Sequence, residues 1–153
     1  MPVGSSWLGV LNIDHFKRVN DNRGHLIGDE VLLLLSRLMR TSFWFHDPLC
    51  RFGGEEFVVL MRCGNPLDAA HAFERLRSNV KRYALWQMGR ITVSIGFTEL
   101  RADDTPNAAF ARADKAVDHV KQNGRNHVAH HADLVAAGKL ADEARDNSDV
   151  ELF

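Results

Sequence analysis

From Arg51 to Met61 the chain reads Arg-Phe-Gly-Gly-Glu-Glu-Phe-Val-Val-Leu-Met, two glycines and two carboxylates between apolar arms. The pattern predicts a hairpin with its chemistry at the tip. Gly53 and Gly54 carry no Cβ and accept positive φ, so the turn can be tight and a ligand can lie against its backbone. Glu55 and Glu56 then stand beside that ligand. Carboxylates next to bare backbone suit a divalent cation carrying a phosphate ester, because hard cations take oxygen ligands and glycine leaves room for phosphates. An ordinary Gly-Gly hairpin with solvated glutamates is the plainer reading of this segment alone.

Other polar blocks stand at fixed places around it: Asn12-Ile13-Asp14-His15-Phe16-Lys17, Asn20-Asp21, Gly24-His25 and Gly28-Asp29 upstream, and Ile91 to Phe97 and Lys121 to Asn126 downstream. The elements that must position them are legible in outline. Ser6 to Asp14 alternates and then runs apolar, as a strand does whose last residues deliver polar groups to a sheet edge. Residues 16 to 22 suggest a short helix ending near Gly24. From Gly28 a helix carries Val31, Leu32, Leu34, Leu35, Leu38 and Met39 on one broad stripe, with Asp29 and Glu30 at its start, where the helix dipole favours negative charge. Leu49 to Phe52 and Phe57 to Met61 form the hairpin arms. A helix follows from Pro66 with Ala72, Phe73, Leu76, Val80 and Tyr83 on one face, then a strand from Arg90 to Leu100. Thr105 caps a helix bearing Phe110, Ala113, Val117 and Val120 that stops at Asn123-Gly124, and a short strand spans residues 126 to 130.

The order β, α, α, β, β, α, β, α, β predicts an α+β fold, a mixed central sheet with helices packed on both sides. Residues 1–130 form this domain. Residues 131–153 are an acidic tail with little apolar periodicity, compatible with a frayed helix or a disordered segment.

Composition narrows the class. A chain of 153 residues is one domain by length and buries roughly 70% of its unfolded surface. A net charge of −1 gives no case for a bulk nucleic-acid binder. No apolar run approaches the ~20 residues of a membrane span, and the first fifteen residues lack a signal-peptide pattern, so a cytoplasmic location is expected. The two cysteines suit a reducing compartment: with a turn centred on 53 to 56, Cys50 faces Val58 or Val59, and Cys63 lies four or five residues further along at ~3.3 Å each, out of disulfide reach. His127, His130 and His131 make no convincing metal set and read as solvated imidazoles.

In order and spacing the blocks from about Val10 to about Val128 resemble the GGDEF family, the diguanylate cyclases that condense two GTP into cyclic di-GMP, on a fold like the nucleotidyl-cyclase palm. The resemblance implies that Glu55 is metal ligand and base for the attacking 3′ hydroxyl, with Glu56 supporting a Mg²⁺ or Mn²⁺ ion. It implies that Gly53 and Gly54 let the nucleotide approach, that Asn20 and Asp29 read guanine, whose N–H donors a carboxylate accepts, and that His25 lies near the base or ribose. Backbone amides of residues 15 to 17, including Phe16 and Lys17, would meet phosphate at a helix start, and Lys121 and Arg125 would grip the triphosphate. Without that frame, Asp29 reads as a helix N-terminal acid, Asn20 as a helix-end polar residue and Lys121 as a surface lysine.

The chain departs from the family pattern in three places. Asn12 stands where the family carries a metal-ligating aspartate, beside Ile13, whose backbone carbonyl is a further ligand. A unit charge about 4 Å from a divalent ion at an effective dielectric near 20 is worth roughly 8 kcal/mol gross, so a neutral oxygen predicts impaired magnesium use, a shift toward manganese, or no turnover. The inhibitory site for cyclic di-GMP keeps Asp47 but lacks its arginine, the window reading Trp44-Phe45-His46-Asp47; Arg75 matches a secondary contact, and Trp44 and Phe45 read as core or interface aromatics. The family's Asp-x-Leu-Thr-Gly-Leu-x-Asn-Arg segment is missing, as expected of a fragment of a longer protein with an upstream sensor domain. Catalysis would need two domains face to face, as a homodimer. Three readings follow: an active diguanylate cyclase, a catalytically degenerate GTP-binding regulatory module, and another nucleotidyl-transfer or structural domain on the same fold.

Overall fold

A computed structural model describes residues 5–23, 25–42, 49–51, 56–87 and 91–142. The elements, in order, are β1 (Ser5–Ile13), α1 (Phe16–Arg23), α2 (His25–Ser42), β2 (Leu49–Arg51), β3 (Glu56–Cys63), α3 (Pro66–Gln87), β4 (Val93–Glu99), α4 (Pro106–Gln122), β5 (Val128–His130) and α5 (His131–Ala136). The five strands form one mixed sheet, ordered β2-β3-β1-β4-β5. β1 lies at its centre, antiparallel to β3 and β4, and β5 runs parallel to β4.

The alternation along β1 decides which helices cover which face. Trp7, Leu11 and Ile13 join Phe57, Val59, Met61, Ile95 and Phe97 on one face, buried under Val31, Leu35 and Met39 of α2 and Phe73, Leu76 and Val80 of α3. Val10 and Val58 point the other way and pack on Phe110, Ala113 and Val117 of α4. Helices therefore lie on both sides of a mixed sheet, as the sequence led us to expect. Gly96 makes the α4 side possible, because a Cβ there would collide with the backbone of Ala113 and Val117.

α4 is bounded as its punctuation foretold. Thr105 Oγ1 accepts from the Ala108 N–H at 3.1 Å, Pro106 opens the helix, and Asn123 closes it. The helix runs back along β4, so its C-terminal end sits beside the end of the sheet where β1 finishes.

Two differences stand out. α2 begins at His25, not at Gly28, so Asp29 and Glu30 lie in its second turn and the dipole argument for them fails; a buried Gly28 lets the helix continue through what reads as a breaker. Residues after 130 also join the fold: α5 packs against α4, β4 and β5, and His131 is buried, not solvated. Cys50 lies opposite Val58, as the hairpin geometry required, and the Cys63 thiol donates to the Asn65 carbonyl at 3.4 Å.

Candidate functional site

The site is built where β1 ends. Asn12 lies directly opposite Glu56 on β3 and Ser94 on β4. Asn12 is buried, Glu56 is half-buried, and Asn12 Nδ2 donates to Glu56 Oε2 at 3.3 Å. Two carboxylates facing each other across a strand pair repel; an amide here gives Glu56 a hydrogen-bond donor instead. The Glu56 carboxylate and the Asn12 amide oxygen are hard donors of the kind that suit a small divalent cation. They fit such an ion with one negative charge in place of two. Among the described residues no three His, Cys, Asp or Glu side chains converge, and Glu55 lies outside them.

Three residues beyond Asn12, the chain turns through His15 at φ 57°, and Asp14, two beyond Asn12, reaches Ser94 on the same face. Its carboxylate, 4% exposed, is fully engaged. Oδ1 accepts from Ser94 Oγ at 2.6 Å, and Oδ2 accepts from Thr92 Oγ1 at 2.7 Å and from the backbone N–H of Asn126 at 3.1 Å. Arg125 Nη1 lies 3.9 Å from Oδ1. A buried charge survives in a core only with such partners.

The segment that meets Asp14 is the turn from α4 into β5. Gly124, Arg125 and Asn126 all have positive φ, at 112°, 61° and 54°. Left-handed backbone costs a non-glycine residue about 1–2 kcal/mol, so two in succession must be held. The Arg125 N–H donates to Val120 O at 2.9 Å, and a short hydrogen bond joins His127 Nδ1 to Arg125 O. Asn126 Oδ1 accepts from Arg77 Nη1 of α3 at 2.8 Å. Arg77 is itself paired with Glu74 at 2.6 Å; the hydrogen bond from Arg77 holds the Glu74 carboxyl below its ordinary range, and the same bond raises the guanidinium.

The remaining sequence candidates lie on the following elements. Phe16 is buried as the first residue of α1, and Lys17 is exposed. An open depression of about 360 Å³ is lined by His15, Lys17, Arg18 and Asp21. Lys121 is half-buried in the last turn of α4, and its charge opposes the upward push that burial and Asp118 exert on the Asp114 carboxyl. Asp29 is exposed on α2 and Arg75 on α3. Asn20 and His25 are placed by their backbone in α1 and at the start of α2. Gly53, Gly54, Glu55, Trp44, Phe45 and Asp47 lie outside the described residues. Asp14, Arg77 and Asn126 carried no role in the sequence reading; the one signal available for Asp14 was its even spacing from Asn12, which sets both on one face.

A family model for the diguanylate cyclase GGDEF domain matches residues 5–127. The chain belongs to the GGDEF family. As a GGDEF domain it is 40% identical over 126 residues to diguanylate cyclase DgcP of Pseudomonas aeruginosa, covering 80% of this chain and 19% of that protein. It is 39% identical over 125 residues to response regulator PleD of Caulobacter vibrioides, covering 78% and 28%. It thus spans about a fifth to a quarter of the length of these curated relatives. Among solved structures, the active GGEEF domain of a diguanylate cyclase from Vibrio cholerae superposes with a TM-score of 0.76 at 31% identity, over 84% of this chain and 83% of that one. The GGDEF domain of DgcB from Caulobacter crescentus, in complex with c-di-GMP, gives 0.76 at 32%, over 84% and 78%. No helix among the described residues is long and apolar enough to cross a membrane.

Proposed function

We propose that this domain is a diguanylate cyclase, joining two GTP into cyclic di-GMP with release of two pyrophosphates in bacterial second-messenger signalling. The observation that carries it is the register of β1 and β3: Glu56, the last residue of the Gly53-Gly54-Glu55-Glu56 sequence, stands opposite Asn12, at the same sheet end as Arg125 and the start of α1. The relative from Vibrio cholerae is an active GGEEF domain, the same Gly-Gly-Glu-Glu-Phe pattern as residues 53 to 57 here.

In this reading Asn20 and Asp29 hydrogen-bond guanine, and His25 lies beside the base or ribose. The first amides of α1, at Phe16 and Lys17, and the cations of Lys121 and Arg125 hold the phosphate oxygens. Glu55 accepts the proton of the 3′ hydroxyl. That oxygen bonds to the α-phosphorus of the opposing GTP as the bond to the pyrophosphate oxygen breaks. Glu55, Glu56, Asn12 and the Ile13 carbonyl would hold a divalent cation, Mg²⁺ or Mn²⁺, which when bound offsets phosphate charge. One domain binds one GTP, so two copies must face each other, and alignment by an upstream sensor domain supplies the entropic advantage that isolated domains lack. A cytoplasmic site, where GTP is available, goes with this activity. With Asp47 and Arg75 but no neighbouring arginine fork, product inhibition is weak.

The test is to incubate the protein with GTP and either Mg²⁺ or Mn²⁺ and measure cyclic di-GMP. Product is expected, favoured by Mn²⁺, abolished in Glu55→Ala, and raised about tenfold with Mg²⁺ in Asn12→Asp, a gain of about 1.4 kcal/mol. GTP binding without product under either ion, unrescued by Asn12→Asp, makes the domain a GTP-binding regulatory module instead, the reading that the Asn12–Glu56 hydrogen bond would favour.

A further inference from the structure

We propose that Asp14 is the positioning residue for Arg125: it locks the turn between α4 and β5 onto the end of β1 and orients the guanidinium without occupying it, with Arg77 holding the same turn from α3. The inference rests on Arg125 meeting the triphosphate, as proposed above.

Three features separate Asp14 from an ordinary structural acid. Its bond to the Asn126 N–H fixes the residue that follows Arg125, and so fixes both left-handed residues of the turn at once. Its partners Thr92, just before β4, and Ser94 within it already satisfy the carboxylate, so the 3.9 Å separation from Arg125 is a charge contact and not a hydrogen bond. Among the described residues the 3.9 Å contact thus leaves Arg125 its five N–H donors. Among the described residues this is its one ion pair, and its side chain remains 32% exposed. A guanidinium aligned by a buried charge, with its fork undirected toward protein acceptors, is suited to bidentate recognition of phosphate oxygens. Arg77 completes the clamp, because its bond to Asn126 Oδ1 fixes the side chain of the residue whose backbone Asp14 holds.

The experiment compares affinity for a GTP analogue with a methylene bridge between the α and β phosphates, which cannot yield product, and for GMP, which lacks the β and γ phosphates, both with Mg²⁺. Arg125→Ala should weaken the analogue about tenfold and leave GMP unchanged, as loss of a charge-assisted contact predicts. Asp14→Ala should reproduce that selective loss, and the double variant should be no weaker than Arg125→Ala alone, since the two act as a unit. Asp14→Asn, which retains an accepting oxygen but no charge, should fall between. Equal losses for GMP and the analogue in Asp14→Ala, or losses that multiply in the double variant, make Asp14 merely structural and overturn the inference. Arg125→Ala with unchanged analogue affinity removes the triphosphate reading itself, and this inference with it. If Asp14→Ala does not fold, Asp14→Asn and Arg77→Ala decide: a twofold to tenfold selective loss supports the clamp, and an unchanged analogue-to-GMP ratio in both overturns it.

Discussion

The two ends of α4 each carry an arginine–aspartate pair, and the pairs are built differently. At the N-terminal end Arg112, its side chain 5% exposed, grips Asp104 through two bonds of 2.6 and 2.7 Å and directs two further donors to Thr98 Oγ1 and the Glu99 carbonyl. At the C-terminal end the buried partner is the acid: Asp14 is enclosed, Arg125 is a third exposed, and they stand 3.9 Å apart. A buried guanidinium with four of its five donors on protein acceptors is a fastener. One held near a charge with its donors open is a tool. In the proposed reading the same two residue types serve cohesion at one end of a helix and recognition at the other, and burial of the cation marks the difference.

The sharpest way to break this contrast is to delete a partner at each end. Asp104→Ala leaves a buried guanidinium uncompensated and should lower unfolding stability by about 3–5 kcal/mol, read from the urea midpoint. Arg125→Ala should change stability by less than about 0.5 kcal/mol. An Arg125→Ala loss as large as that of Asp104→Ala would make both pairs fasteners and end the distinction. The Arg112 hydrogen bonds hold the Asp104 carboxyl below its ordinary value of 3.8. This pair's contribution is therefore complete above that pH and fades only as acid protonates the folded form.

A second substitution acts between the two ends. Gly96 lies in the seam where β4 touches the backbone of Ala113 and Val117, so Gly96→Ala must push α4 away from the sheet. Overpacking of this kind costs about 1–3 kcal/mol. Because the shift moves the whole helix, GTP affinity should fall along with stability, whereas Asp104→Ala, measured well below its unfolding midpoint, should leave affinity largely intact. If Gly96→Ala lowers stability alone, the C-terminal turn is set by its own clamp from β1 and α3 and not by the seat of α4.

The elements of this fold were legible wherever local chemistry punctuates the chain. Thr105, Pro106 and Asn123-Gly124 bound α4 as capping residues should, and the alternation of β1 sorts its side chains correctly between the two faces. Where the sequence reading failed, a local signal was overridden by packing: Gly28 is buried inside α2 and does not begin it, and His131 is enclosed by α5 seated on α4. The clamp around Asp14 was invisible for another reason. Its partners lie 78, 80 and 112 residues away, and only the sheet order, with β1 beside β4 and β4 beside β5, brings them together. A short motif lets the sequence nominate candidates; contacts made through a crossover leave no such local signal.

The smallest expected effect tests the N-terminal end through its neighbour. His131 is 1% exposed, and its Nε2 has no hydrogen-bond partner among the described residues. Burial first, and the Arg112 charge next, push its pKa below the ordinary 6.5; Arg101 and His130 act in the same direction and Asp142 against them. The neutral ring is therefore the folded form, and stability is undiminished above pH 6.5. As pH falls below that value the unfolded chain takes up the proton first, so stability declines, with a slope of at most about 1.4 kcal/mol per pH unit from this group. His131→Gln should flatten the decline between about pH 6.5 and 5.5 in urea titrations, while the affinity of the GTP analogue at the far end of α4 keeps the pH profile of the unaltered protein. A decline that persists in His131→Gln would mean that Arg112 and its imidazole neighbour do not oppose each other's charge. The N-terminal pair would then be less closed to protons than its burial implies.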